Sequence, residues 1–295
     1  MTRPLRVATR GSVLARWQAD RVLALLGGVG ELVIVTTTGD RDAQAPIHTL
    51  GGRGVFVKEV QEAVLAGDAD LAVHSAKDLP SGELPGLVLA CVPERADPRD
   101  ALVGASLETL PTGARVATGS VRRRAQLAHR RPDLTFAELR GNVPTRLRRA
   151  EEFDAVVIAA AALDRLHLAD DRVHRLDPSE LLPQVAQGAL AVECRADDEA
   201  TIAALSGVED RDARRAVDAE RAFLAELGGG CDVPVGALAT VEPSGVTLTA
   251  LIASLDGRVV LRTTTRDPDP VRAGREAARV LLDDRGGRAV LGDAP

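Results

Sequence analysis

The stretch Arg6-Val7-Ala8-Thr9-Arg10-Gly11-Ser12 returns as Arg115-Val116-Ala117-Thr118-Gly119-Ser120. In both places an apolar run ends in a small polar junction, and a helical pattern follows. A chain that repeats strand, tight junction and helix builds a sheet with parallel pairs, because the helix carries the chain back to begin the next strand alongside. The recurrence predicts an α/β protein with two domains of one plan. It also predicts where chemistry collects, since open α/β sheets bind ligands outside the carboxyl ends of their strands.

The spacing of apolar residues fills in the plan. Leu5–Thr9 reads as a strand. Leu14, Trp17, Val22, Leu25 and Leu26 then recur at helical spacing behind a Ser12 cap. Leu32–Thr38 is a β-branched strand, Val55–Ala66 an amphipathic helix, and Asp70–His74 and Leu87–Val92 are further strands. Pro93–Asp100, charged and with two prolines, reads as a linker. Beyond it come helix 121–131, strand 134–139, and helix 145–152 behind an Asn142 cap. A buried strand at 155–159 and a crossing loop at 182–189 follow. A strand at 190–194 and a long helix from Asp210 to Leu227 come next. A hairpin of 246–254 and 259–265 around Asp256-Gly257, with a helix over 270–284, closes a smaller third domain.

Several classes are excluded by what is missing. No apolar run is long enough to span a bilayer, and the N-terminus runs into a strand without a signal-peptide core, so no membrane partner is expected. Cys91, Cys194 and Cys231 are odd in number and far apart, which argues against a disulfide framework and for the cytosol. The five His show no metal-ligand spacing, so no metal is expected. Nothing demands more than a monomer.

The charges are more informative. The chain is acidic overall, at −6, but its cations are 35 Arg against only Lys58 and Lys77. Residues 115–149 alone hold ten Arg against Asp133 and Glu138. Arg122, Arg123 and Arg124 occupy the first turn of a predicted helix, where each cation is disfavoured by roughly 0.3–1 kcal/mol at an exposed site. A bound anion reverses that sign. Arg122, Arg123, Arg140 and Arg146, beside junction loops, therefore read as guanidinium forks for carboxylates or phosphates. Arg130, Arg131, Arg148 and Arg149 read as a solvated face. Nucleic acid is the rival ligand for such a patch, but the neighbourhood offers almost no aromatic platform for bases, and none is expected.

Two further motifs are ambiguous by themselves. Lys77-Asp78, at a strand end in His74-Ser75-Ala76-Lys77-Asp78-Leu79-Pro80, is either an exposed ion pair of little weight or a functional pair. A carboxylate among cations can stabilise a developing positive charge or move a proton. Gly228-Gly229-Gly230-Cys231-Asp232-Val233-Pro234 is either a capped helix end with an inert thiol or a loop whose glycines let it approach a ligand closely.

Taken together, seven motifs in this order along the chain resemble the porphobilinogen deaminase (hydroxymethylbilane synthase) family. They are Ala8–Ser12, Gly54–Glu59, Ala72–Pro80, Gly119–Arg123, Leu139–Val143, Gln187–Ala189 and Gly229–Pro234. The resemblance is weakest in the last sixty residues. It implies two periplasmic-binding-protein-like doubly wound domains and a small α/β C-terminal domain. With the linker and repeat, the domains fall at 1–93 plus 189–206, 99–188 and 210–295.

The resemblance also implies a function. The family condenses four porphobilinogen molecules onto a dipyrromethane primer, releasing ammonia each time, and then frees hydroxymethylbilane by hydrolysis. The dipyrromethane would be a covalent cofactor, held by a thioether to Cys231. Its carboxylates would meet Ser75, Lys77, Ser120, Arg122 and Arg123. Asp78 would face the pyrrole nitrogens and act in catalysis. Porphobilinogen would meet Arg10, Ser12, Phe56, Arg140, Arg146, Arg165 and Gln187. Pro144 and Ala186 stand where glycine is common, and Ala76 replaces a bulkier residue. The alternative is a non-catalytic two-lobed binding module for small dicarboxylates, which needs neither Cys231 nor Asp78.

Overall fold

The computed structural model describes residues 4–41, 54–82, 84–228 and 233–292. Its strands in chain order are β1 (Leu5–Arg10), β2 (Gly30–Val35), β3 (Leu71–Ser75), β4 (Leu87–Cys91), β5 (Asp100–Val103), β6 (Arg115–Ala117), β7 (Thr135–Ala137), β8 (Ala155–Ala159), β9 (Val173–Arg175), β10 (Leu190–Arg195), β11 (Val235–Glu242), β12 (Gly245–Ala253) and β13 (Val260–Asp267). The helices are α1 (Val13–Leu25), α2 (Thr38–Arg41), α3 (Lys58–Leu65), α4 (Val121–Arg130), α5 (Val143–Arg148), α6 (Ala160–Arg165), α7 (Glu199–Ser206), α8 (Arg211–Glu226), α9 (Pro270–Arg279) and α10 (Gly287–Gly292). The chain gathers into two compact units, Met1–Ala96 with Gly188–Arg214, and Asp97–Gln187 with Arg215–Pro295.

In the first unit the sheet order is β2-β1-β3-β10-β4. β1 is parallel to β2 and β3, whereas β10 runs antiparallel to both β3 and β4. α1 forms because Ala15, Gln18, Ala19, Val22 and Leu23 recur on one face and all are buried. Ser12 caps it, accepting from Ala15 N at 3.2 Å. Ala19, Val22 and Leu23 pack with Leu71, Val73, Leu190 and Val192 in one core. Each Val or Leu of this set contributes about 1.5–3 kcal/mol when fully buried. The other sheet face packs Val60 and Val64 of α3 against Ala8 and Ala72. α3 starts three residues later than the apolar spacing predicts, because Gly54 at φ 79° directs a turn through residues 54–57.

The second unit repeats the pattern as β7-β6-β8-β5-β9. β6 is parallel to β7 and β8, and β5 runs antiparallel to β8 and β9. The two echoed motifs thus occupy equivalent central strands, β1 and β6, and Ser120 caps α4 as Ser12 caps α1. Antiparallel strands at matching places in both sheets qualify the expectation of parallel pairing: β5 follows an irregular segment and β10 a turn at 185–188, neither a helical crossover.

Two sequence expectations are corrected here. The linker reading of 93–100 ends too late, since Asp100 is the first residue of β5 and is wholly buried. The third sheet, β11-β12-β13, contains the expected hairpin, but β11 shows too little contrast in its sequence to be read as a strand. Gly257, in the hairpin turn, approaches α4 so closely that a Cβ there would meet Ala125 O and stand 3.0 Å from Ala128 Cβ. The helix expected over 270–284 is α9 followed by a π-helical turn at Val280–Asp284.

Candidate active site

In the first unit the expected residues gather at the carboxyl ends of β1 and β3. Arg10 closes β1, and its Nε donates to Asp40 Oδ2 at 3.2 Å while Nη2 binds Oδ1 closely. The guanidinium lies over the Phe56 ring, 4.1 Å from its centroid. Gly39 makes this stack possible, because any Cβ there would intrude on the Phe56 ring. Asp40 is held in turn by Thr37, whose hydroxyl donates at 2.8 Å. Burial opposes its ionisation, but the hydrogen bonds from Arg10 and Thr37 prevail and hold its carboxyl below the ordinary range.

Ser75, the last residue of β3, accepts from Gln18 Nε2 at 2.8 Å. Lys77 and Asp78 follow on a short 3-10 turn, both half-buried, and Ala76 N anchors that turn to Ala189 O at 3.1 Å. The same sheet holds a buried polar tie. Gln61 of α3 donates to Glu193 of β10 at 2.8 Å. His74 Nε2 of β3 stands 3.1 Å from the same carboxylate, outside hydrogen-bonding geometry. Three elements, α3, β10 and β3, thereby meet at one buried carboxylate, and β3 leads on into the turn that bears Asp78.

In the second unit Ser120, Arg122, Arg123 and Gln187 come together. Their centre is a residue the sequence reading missed, Asp100. Its Oδ2 accepts from Arg122 Nη2 at 2.7 Å. Its Oδ1 accepts from Arg123 Nη2 at 2.7 Å, Arg123 Nε at 3.0 Å and Gln187 Nε2 at 2.9 Å. Arg122 also donates to Leu182 O at 2.7 Å, and Arg123 to Val157 O at 2.9 Å. Asp100 is 0 % exposed, Arg122 3 % and Arg123 6 %. Burial alone would protonate Asp100, but the two guanidinium charges prevail and keep it ionised far below the usual carboxylate range. Burial and the neighbouring Arg123 charge both depress Arg122, which Asp100 offsets only in part. The expectation that these arginines wait for an outside anion is therefore amended: one internal carboxylate already engages both.

A pocket opens beside them, lined by Ser120, Arg122, Gln184, Val185, Leu224, Val233 and Val235. Arg122 Nε is buried without a hydrogen-bond partner among the described residues. Cys231 lies outside the described residues, as do Gly229, Gly230 and Asp232; Val233, two positions on, belongs to the pocket wall.

Arg140 and Arg146 are half-buried around Gly141, whose carbonyl accepts from Arg146 Nε at 2.8 Å. Asn142 caps α5 at 3.0 Å from Thr145 N, and Pro144 fits its first turn, so this helix begins two residues before the predicted start. Arg165 ends α6 buried, and burial draws its guanidinium down to about 10. Two arginines assigned to a solvated face do more than that. Arg131 ties Asp133 and the carbonyls of Leu107, Leu110 and Pro111, and Arg149 pairs with Glu152.

Asp100, Asp40 and Gln18 also belong to this site, and sequence reasoning alone does not find them. Asp100 alone carried a signal, in the buried-looking Ala101-Leu102-Val103 that follows it directly.

Comparison with known proteins bears on this arrangement. A family model described as porphobilinogen deaminase, dipyrromethane cofactor binding domain, matches residues 5–203, and the C-terminal domain of the same family matches 214–283. A porphobilinogen deaminase of Syntrophotalea carbinolica is 48% identical over 290 residues, covering 94% of this chain and 92% of the relative. One from a Roseiflexus species is 49% identical over 303 residues, covering 99% of both. Among solved structures, a periplasmic His/Glu/Gln/Arg/opine family-binding protein from Silicibacter pomeroyi aligns at 12% identity and a TM-score of 0.36, over 69% of this chain and 88% of that one.

Proposed function

The chain belongs to the porphobilinogen deaminase family, and within that family we propose which of its residues carry the chemistry. Its activity is that of a hydroxymethylbilane synthase, a transferase of tetrapyrrole biosynthesis that carries a dipyrromethane cofactor. When bound, that cofactor supplies the pyrrole end onto which porphobilinogen units are condensed.

The residues present fit such a group. Its two pyrroles carry carboxylates, and the pocket lined by Ser120 and Arg122 borders a buried guanidinium whose Nε has no partner among the described residues. This is the observation that carries the assignment. Ser120, Arg122 and Arg123 of the second unit, with Ser75 and Lys77 of the first, hold the cofactor carboxylates, and Cys231 bears its thioether. Asp78 is the catalytic acid–base and counter-charge: it stabilises the positive charge that develops as ammonia leaves and takes a proton when the next pyrrole attacks. Arg10, Ser12, Phe56, Arg140, Arg146, Arg165 and Gln187 receive the carboxylates and ring of porphobilinogen. A substrate carboxylate at Arg10 exchanges with Asp40, so the site is charge-balanced before substrate arrives.

The three-domain division at 1–93 with 189–206, 99–188 and 210–295 accompanies this reading. So does a cytoplasmic monomer; no helix among the described residues is long and apolar enough to cross a membrane. The test is intact mass. Protein from cells that make porphobilinogen should be heavier than its sequence by two pyrrole units, and the added mass should be lost in Cys231→Ser. Bare polypeptide from such cells would overturn the assignment.

A further inference from the structure

The arginine cluster of the second unit has an uneven charge count. Arg122 and Arg123 bring two guanidinium charges into a site where both are more than nine-tenths buried. Among the described residues, Asp100 is the carboxylate that both engage. The next buried carboxylate of this unit, Glu220, accepts backbone N–H groups from Ala186 and Ala239. Among the described residues one of the two buried positive charges is therefore left without a carboxylate, a placement that is unfavourable unless an anion completes it.

The hydrogen-bond inventory leads to the same number. A guanidinium donates through three nitrogens, so the pair offers six donor atoms. Arg122 directs Nη1 to Leu182 O and Nη2 to Asp100, and Arg123 directs Nε and Nη2 to Asp100 and Nη1 to Val157 O. Of the six nitrogens, Arg122 Nε is the one left without a partner among the described residues, and Arg122 lines the pocket with Ser120. Ser120 caps α4, so the positive end of that helix faces the same place.

We propose that Asp100 is a positioning residue that fixes Arg122 and Arg123 and cancels one of their two charges, so that this site takes a single cofactor carboxylate. The inference rests on the reading that Ser120, Arg122 and Arg123 hold the cofactor. Without Asp100 the guanidiniums would repel each other and lose their shared anchor. With a second internal anion the site would be neutral and have no call for a ligand. Gln187 completes the arrangement, since its amide donates to Asp100 at 2.9 Å and to Pro98 O at 2.8 Å without adding charge.

The test compares the rise in melting temperature on cofactor loading, with apoprotein from cells lacking porphobilinogen and loaded protein from cells that make it, each verified by intact mass. Asp100→Asn raises the net charge of the cluster to two; the expected result is a less stable apoprotein with a cofactor-induced rise several degrees larger than in the parent chain. A merely structural Asp100 would lower apo and loaded forms alike, and an equal or smaller rise, including failure to load, overturns the proposal. Should Asp100→Asn not accumulate, the double variant Asp100→Asn/Arg123→Gln returns the net charge to one. It should accumulate and show a rise near that of the parent; failure of either overturns the proposal. Ser120→Asp separates the underlying reading. Aspartate preserves the helix cap but places a rival anion at the pocket, so the rise should shrink. If Ser120→Asp loads with an unchanged rise, the cofactor reading of this pocket fails. If that rise shrinks while Asp100→Asn shows no gain, the role of Asp100 alone fails.

Discussion

Glu220 Oε2 accepts the backbone N–H of Ala186 at 2.6 Å, and Ala186 stands at φ 59°. The carboxylate is wholly buried on α8, and its other oxygen accepts Ala239 N of β11 at 2.9 Å. One side chain thus ties the segment that delivers Gln187 to the small sheet. An alanine in the left-handed region carries a steric penalty of about 1–2 kcal/mol, which is why glycine suits such a position. This chain keeps alanine and holds it with a carboxylate.

Two opposite effects follow from that contact. Glu220→Ala leaves two buried N–H groups without acceptors and should destabilise the protein by at least about 1–3 kcal/mol. Ala186→Gly should stabilise it slightly, by about 0.5–1 kcal/mol, because relief of backbone strain exceeds the added freedom of the unfolded chain. Urea denaturation of both variants checks the signs; a destabilised Ala186→Gly would show that the left-handed backbone is not strained.

Asp78→Ala should load cofactor, as judged by mass, yet lose tetrapyrrole output by a factor of about 10²–10⁴, the usual weight of a positioned acid–base. Asp78→Glu should recover part of it. Unchanged output from Asp78→Ala, measured with porphobilinogen, would remove this residue from catalysis.

Thiol labelling separates the three cysteines. Burial pushes the Cys91 thiol up to about 12, helped by Glu209, and the Cys194 thiol up to about 11. Neither supplies thiolate at neutral pH, so neither should react in the native state. Native apoprotein should take one alkyl group, on Cys231, and loaded protein none. Unfolded apoprotein should take three. Labelling of Cys91 or Cys194 in folded protein would contradict their burial.

Acid should reveal Asp97. Burial opposes its ionisation, but hydrogen bonds from Arg99 and Arg175 prevail and hold it at about 2. A depressed carboxyl stabilises the fold above its unfolded value and loses that contribution as pH falls through the folded value. The parent chain should therefore exceed Asp97→Asn in stability at neutral pH, by about 1 kcal/mol or less because Arg99 and Arg175 are partly exposed. That difference should shrink between about pH 4 and pH 2. Urea melts across this range check it; a constant difference would assign the effect to packing.

The local features of this protein were legible in its residues. Ser12 and Asn142 cap helices because a short polar side chain beside a helical pattern has few other uses, and the structure bears out both. The repeat of Arg6–Ser12 at Arg115–Ser120 marks equivalent strands, since the same junction chemistry serves the same turn. The motifs at Ala72–Pro80, Leu139–Val143 and Gly229–Pro234 carried the family without any coordinates. Tertiary structure alone decided the partners. Asp100 looked like the last charge of a linker until β5 brought it beneath α4, 22 residues from Arg122 and 87 from Gln187. Asp40 lies 30 residues from the Arg10 it neutralises. A charge pattern along a chain records which side chains are ionised, whereas the energy of each depends on distance and burial, and these arise only when separate segments pack.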